Sequence, residues 1–230
     1  MHENEAREEM CRVGKSLFER GYVHASAGNI SMRLDDGFLI TPTDACLGFL
    51  DPAALARLDA KGNHVSGDRP SKTIVLHQRI YAAARAFDGD TACVIHTHSH
   101  ACVALSLAAA DTPADGAGRE LMPALTPYFV MKVGHVPVIP YRRPGAAQAA
   151  DLVAAAIGAY GGRGTPIRSV MLERLGPNVW HDTPAAAMAT LEELEETARL
   201  WLGCRQSPRA PEPLDEAQLS ELREVFGARW

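Results

Sequence analysis

The stretch Ala92-Cys93-Val94-Ile95-His96-Thr97-His98 decides how this sequence is read. An apolar run that follows the turn signal Asp88-Gly89-Asp90 and ends in polar residues predicts a short buried strand. Its polar end carries imidazoles at alternate positions. Side chains two apart on a strand share a face, so His96 and His98 are candidate ligands for one divalent ion. His100 joins that face only if the strand runs past Ser99. Taken alone, the pair reads equally as ordinary polar residues closing a strand.

Working outward, Ile74, His77, Tyr81 and Ala84 share a face of a helix expected over 73–87, and a second helix is expected over about 100–110. Met10, Val13 and Leu17 mark an amphipathic helix over 3–20, ended by Gly21. Asp35-Asp36-Gly37 turns the chain between strands, which predicts a hairpin. Val136-Pro137-Val138-Ile139-Pro140 predicts a short strand, placed at a sheet edge by its prolines. An Ala-rich helix is expected over 146–159. Ser169–Leu172 and Asn178–His181 form a second hairpin, and Thr183-Pro184 opens a long helix lined by Leu191, Leu194, Ala198 and Trp201. The expectation is one α/β domain over 1–205, then a Pro-rich tail and a short helix within 206–230.

The chain has 230 residues, 47% hydrophobic and 22% charged, enough to bury a core without cross-links. Its formal net charge of -5 excludes broad electrostatic attraction to nucleic acid or anionic membrane. The five cysteines are scattered without a CxxC pair, so reduced, packed thiols are expected rather than a thiolate zinc cluster. The acidic start Met1-His2-Glu3-Asn4-Glu5 does not read as a signal peptide, and no segment is long and apolar enough to span a bilayer, so a cytoplasmic protein is expected.

Three further segments carry small hydroxyl, amide and cationic groups: Gly28-Asn29-Ile30-Ser31, Thr41-Pro42-Thr43-Asp44 and Pro70-Ser71-Lys72. Each alone reads as a turn. Brought together, their backbone N–H groups and Lys72 could cradle a phosphate or carboxylate.

The order of these segments, with Leu125-Thr126-Pro127-Tyr128-Phe129-Val130-Met131-Lys132-Val133-Gly134 and Leu172-Glu173-Arg174-Leu175-Gly176-Pro177 after them, resembles the class II aldolase/adducin family over about residues 5–205. Within it, the Ser-Lys pair and the Thr-Pro-Tyr run look most like the 3-oxo-tetronate 4-phosphate decarboxylase branch. The resemblance implies a three-layer α/β/α fold with a central, mainly antiparallel sheet, a homotetramer with active sites between subunits, and a divalent metal, usually zinc. It matches His96 and His98 to two of three histidine ligands. It matches Asn29, Thr43 and Ser71 to phosphate-binding positions, beside Lys72. Tyr128 matches a proton donor from the adjacent subunit. Lys72 and Tyr128 are thus the candidate catalytic residues.

The sequence departs from that pattern at Leu175, where the third histidine belongs, at Thr73, where a catalytic glutamate belongs, and at Asp44, where a glycine belongs. Substitute third ligands are His135, His181 and Glu173. Decarboxylation of a β-keto acid tolerates the loss of a base better than an aldol cleavage does, because carbon dioxide leaves without prior removal of a proton. Two functions follow. One is a metal-dependent carbon–carbon lyase, of decarboxylase or aldolase type, acting through a metal-stabilised enolate on a small, possibly phosphorylated sugar acid. The other is a catalytically decayed relative that binds a small ligand or a structural partner.

Overall fold

The computed structural model describes residues 2–108, 119–205 and 211–230. The five N-terminal strands are β1 (Asn29–Leu34), β2 (Gly37–Ile40), β3 (Ala56–Asp59), β4 (His64–Ser66) and β5 (Cys93–His96). They are followed by β6 (Arg119–Glu120), β7 (Pro137–Ile139), β8 (Ser169–Leu172) and β9 (Gly176–His181). They form one sheet in the order β4-β3-β2-β1-β5-β9-β8-β7-β6. Every neighbouring pair is antiparallel except β7 with β8. The strand expected to be buried is β5, which lies between β1 and β9 with every residue buried. The expected edge position of Val136–Pro140 does not hold. Here β7 lies between β8 and β6, and the two-residue β6 takes the edge.

The helices are α1 (Glu3–Glu19), α2 (Ile74–Ala84), α3 (His100–Ala108), α4 (Ala147–Gly162), α5 (Pro184–Cys204) and α6 (Glu216–Phe226). In α1, Ala6, Met10, Val13 and Leu17 are buried at helical spacing, and Glu3 and Glu5 favour the positive end of the dipole. Thr183 caps α5 by accepting from Ala186 N, and Pro184 occupies a first-turn position that needs no N–H.

The sheet divides the core in two. On one face, Ile30, Met32, Cys93, Ile95 and Val179 pack with Met10 and Leu17 of α1, Leu105 of α3, and Leu191 and Leu194 of α5. On the other, Val94, Val170 and Trp180 pack with Ile80 and Tyr81 of α2 and with Val153 and Ile157 of α4. This is the expected α/β/α layering, and the alternation of β5 side chains between two covered faces is its cause. The C-terminal segment lies on the same body: Leu219 and Leu222 of α6 pack against Val130, and Leu214 N donates to Ala124 O. Residues 206–210 of the expected tail lie outside the described residues.

Candidate active site

His96 is the last residue of β5, not a mid-strand residue, so His98 lies beyond the strand rather than on it. The two rings nevertheless stand side by side, with centroids 5.1 Å apart. Two imidazoles binding one zinc ion at ordinary Zn–N lengths have centroids roughly 5 Å apart. His96 Nδ1 donates to Pro177 O at 2.9 Å, since a carbonyl can only accept, and this leaves Nε2 with its lone pair. Burial, then the neighbouring His98, lowers the His96 pKa to about 4, against the partial support of the Pro177 carbonyl. Burial and then His24 lower that of His98. Both rings are thus neutral at neutral pH, the form that ligates a metal.

Two glycines press the chain against this strand end. A Cβ on Gly28 would stand 2.9 Å from His96 O, and one on Gly176 would stand 1.9 Å from Thr97 O. Both residues also hold a positive φ, of +85° and +149°, which L side chains rarely adopt. Beyond His98, the buried carboxylate of Glu195 accepts from Ala101 N at 2.8 Å and Cys102 N at 3.1 Å, capping α3 from across the molecule.

The three small-residue segments do meet. Thr43 N donates to Arg69 O (2.9 Å), Ser71 N to Thr41 O (3.2 Å) and Thr41 N to Ile30 O (3.0 Å). Asn29 pairs in register with His96, which sets the cradle beside the imidazole. Asp44 takes the left-handed conformation (φ 58°) of the glycine it replaces and is exposed. The Thr73 hydroxyl is bonded to Ser71 Oγ at 2.8 Å.

A cleft of ≈ 350 Å³ opens on the α2/α4 face above His96. Lys72, Thr73, Val75 and Leu76 line it from α2, and Leu172 and Leu175 from β8 and its turn. Arg142, Arg143 and Ala147 line it from α4 and the loop before it. Leu175 therefore faces the same space as His96 and supplies an aliphatic wall where the family places a ligand.

The substitute ligands are not assembled there. His135 Nδ1 bonds Glu120 at 3.1 Å and its ring stacks on Trp230 at 4.3 Å. His181 pairs with Cys93, at the far end of β5 from His96, and bonds Asp182. Glu173 reaches the cleft, but its Oε2 accepts from Tyr141 N at 2.8 Å and its Oε1 lies 3.5 Å from Arg119. Tyr128 is 63% exposed and precedes the π-helical turn Phe129–Val133, whose Phe129 and Val133 pack on the opposite, α1/α5 face. It does not line the cleft of its own chain.

Three neighbours, His24, His77 and Asn178, join the site only in the structure. The His24 ring lies 6.2 Å from that of His98, presented by the loop before Gly28. Asn178 of β9 pairs in register with His96 and is fully buried, with no hydrogen-bond partner on Oδ1 or Nδ2. Asn29 Oδ1 and His77 Nε2 are likewise buried without one. His77 bonds Ser31 Oγ through Nδ1 (2.7 Å), and burial, then His96, lowers its pKa to about 3. Strand register sets Asn29 and Asn178 on either side of His96, while His77 comes from α2 and His24 from the loop before β1; an Asn in an otherwise apolar strand was a signal.

Tested against a divalent metal, the donor set fits in part. His96 and His98 suit two positions of a tetrahedral ion, Leu175 cannot fill a third, and among the described residues no three His, Cys, Asp or Glu side chains converge on one point.

This fold, with paired imidazoles at the end of a central strand, defines a class of carbon–carbon bond-cleaving proteins. The chain belongs to the class II aldolase and adducin family, whose N-terminal domain model matches residues 8–202. That family is divalent-metal dependent. A 3-oxo-tetronate 4-phosphate decarboxylase of Cupriavidus necator is 51% identical, covering 99% of both chains, and one of Escherichia coli K12 is 39% identical over 86% of each. The crystal structure of YgbL from Escherichia coli, a putative aldolase/epimerase/decarboxylase, superposes with a TM-score of 0.81 at 36% identity, covering 96% of this chain and 99% of that one. An L-fuculose 1-phosphate aldolase shares the fold, with a TM-score of 0.79 at 22% identity over 97% of this chain and 96% of that one.

Proposed function

We propose that this protein is a carboxy-lyase that releases carbon dioxide from a short β-keto sugar acid bearing a phosphate, of the 3-oxo-tetronate 4-phosphate type. The observation that carries this reading is the neutral imidazole pair whose inner member, His96, lies between a hydroxyl- and amide-rich cradle and a cationic cleft. Likeness to the decarboxylases over the full chain favours it over the decayed-site reading.

In the proposed assignment, Asn29, Thr43, Ser71 and Lys72 hold the phosphate through amide, hydroxyl and ammonium groups. His96 and His98 hold the metal, zinc by family custom, and a bound metal supplies Lewis-acid polarisation of the ketone. The C1–C2 bond breaks, carbon dioxide leaves, and its electron pair passes into the C3 carbonyl. No proton is removed first, so Thr73 in place of a carboxylate does not block the step. The walls formed by Leu172 and Leu175 exclude water and favour loss of the carboxylate charge. Tyr128 of a neighbouring subunit returns a proton to C2, in a homotetramer with shared sites. Free thiols at Cys11, Cys46, Cys93, Cys102 and Cys204 suit a cytoplasmic location.

The test is carbon dioxide release from 3-oxotetronate 4-phosphate by zinc-loaded protein, with His98→Ala as the control. Release is expected from the first and not from the second. Equal release from both would overturn the metal-assisted mechanism.

A further inference from the structure

Three cations of the cleft lack an acidic partner: among the described residues neither Lys72, Arg142 nor Arg143 makes an ion pair. Arg142 donates only to the adjacent Tyr141 O, at 2.7 Å. Two arginines nearby, Arg79 and Arg119, are paired instead. Arg79 is paired with Asp151 at 2.6 Å, and that pair ties α2 to α4. Glu173 is turned to Arg119 and to Tyr141 N, so it anchors the loop that presents Arg142 and Arg143 rather than neutralising them.

The backbone adds to the same field. Both walls of the cleft are helix starts, at Ile74 and at Ala147, and neither Thr73 nor Ala146 caps its helix with a side chain. The positive ends of both helix dipoles thus border the cleft. The three cations stand at the exposed rim of the cleft, above an apolar floor.

We infer that Arg142 and Arg143, with the start of α4, form a second anion subsite that takes the carboxylate of the substrate. This inference rests on the lyase reading. With the phosphate held on the α2 side and the ketone at His96, the remaining end of a short chain reaches the α4 wall. The carboxylate loses its charge as carbon dioxide departs. Cations there hold the bound substrate more strongly than the transition state, so they govern affinity and orientation rather than the chemical step. A single-anion sugar phosphate would leave the arginines without an anionic partner, which makes them a selectivity device.

The test uses two unreactive ligands, 4-phosphoerythronate and erythritol 4-phosphate, which differ by the carboxylate. Titration calorimetry compares the native protein with Arg142→Ala/Arg143→Ala, and with Arg142→Lys/Arg143→Lys as a charge-preserving partner. The alanine variant should bind the phosphoerythronate at least about tenfold more weakly, the charged hydrogen bonds being lost. It should bind the erythritol phosphate unchanged, and the lysine variant should recover part of the difference. In turnover, the loss should fall on KM more than on kcat. Equal weakening for both ligands, or none for either, would overturn the carboxylate subsite. Failure of the native protein to bind either ligand would instead refute the lyase reading from which the subsite was drawn.

Discussion

His96 and His77 are the imidazoles through which acid works against the fold. Burial dominates at both, and neighbouring imidazoles add to it, so their pKa values fall to about 4 and about 3 from an ordinary 6.5. The unfolded chain therefore binds protons that the folded chain refuses, and stability must rise with pH across that interval. In metal-free protein, stability should be complete above about pH 6.5 and decline steadily toward pH 4, by on the order of 3 kcal/mol for each imidazole. Denaturant titrations at stepped pH check this. His77→Gln, which can still bond Ser31, should flatten the slope. At the same scale, Leu175 is expected to limit metal retention. It faces the His96 cleft without a lone pair, so Leu175→His should raise zinc affinity at least about tenfold in a chelator competition. No gain in affinity would show that the aliphatic residue is not what limits the site.

At the scale of elements, the site is a strand end held between two close backbone approaches. Gly28 belongs to the loop entering β1, and Gly176 opens β9, on the two sides of β5. Adding a methyl group at Gly176 would drive it into Thr97 O and force an unfavourable φ. Gly176→Ala should cost roughly 3 kcal/mol or more, from overlap and backbone strain together. It should also lower metal binding more than the Gly158→Ala change, where a Cβ meets nothing within 4 Å. Chemical denaturation and zinc titration of the two variants make the comparison. These contacts join segments far apart in sequence. Gly-Asn-Ile-Ser could be read as a loop entering a strand, but the reason for its glycine could not. The hairpins and the helical stripes were legible because their periodicities are local. The place of β7 inside the sheet was not, since prolines argue for an edge and cannot show that β6 covers it.

For the whole molecule, the question is how Tyr128 meets a cleft on the other side of its own sheet. It is exposed and absent from the lining of that cleft; the residue after it, Phe129, packs on the α1/α5 side, whereas His96 opens to the α2/α4 side. A proton donor so placed serves a site only across a subunit boundary, as proposed. His98→Ala and Tyr128→Phe protein, each inactive, should then regain activity when unfolded together and reassembled. Random mixing of subunits would restore about a quarter of the native sites. No recovery, with mixed oligomers verified by mass, would place both residues in the service of one chain.

By itself the sequence determined the layered α/β fold, the order of its elements and the imidazole pair, because each depends on spacing along a few residues. It also displayed the losses at Leu175 and Thr73. The tertiary structure alone decided which polar groups share a space. Strand register set Asn29, His96 and Asn178 in one row, and the crossing of α2 with α4 brought Lys72 to the cleft that Arg142 and Arg143 border. It also separated His135 and His181 from the site they were candidates to complete. Such contacts span most of the chain, and no local periodicity encodes the register or packing that creates them.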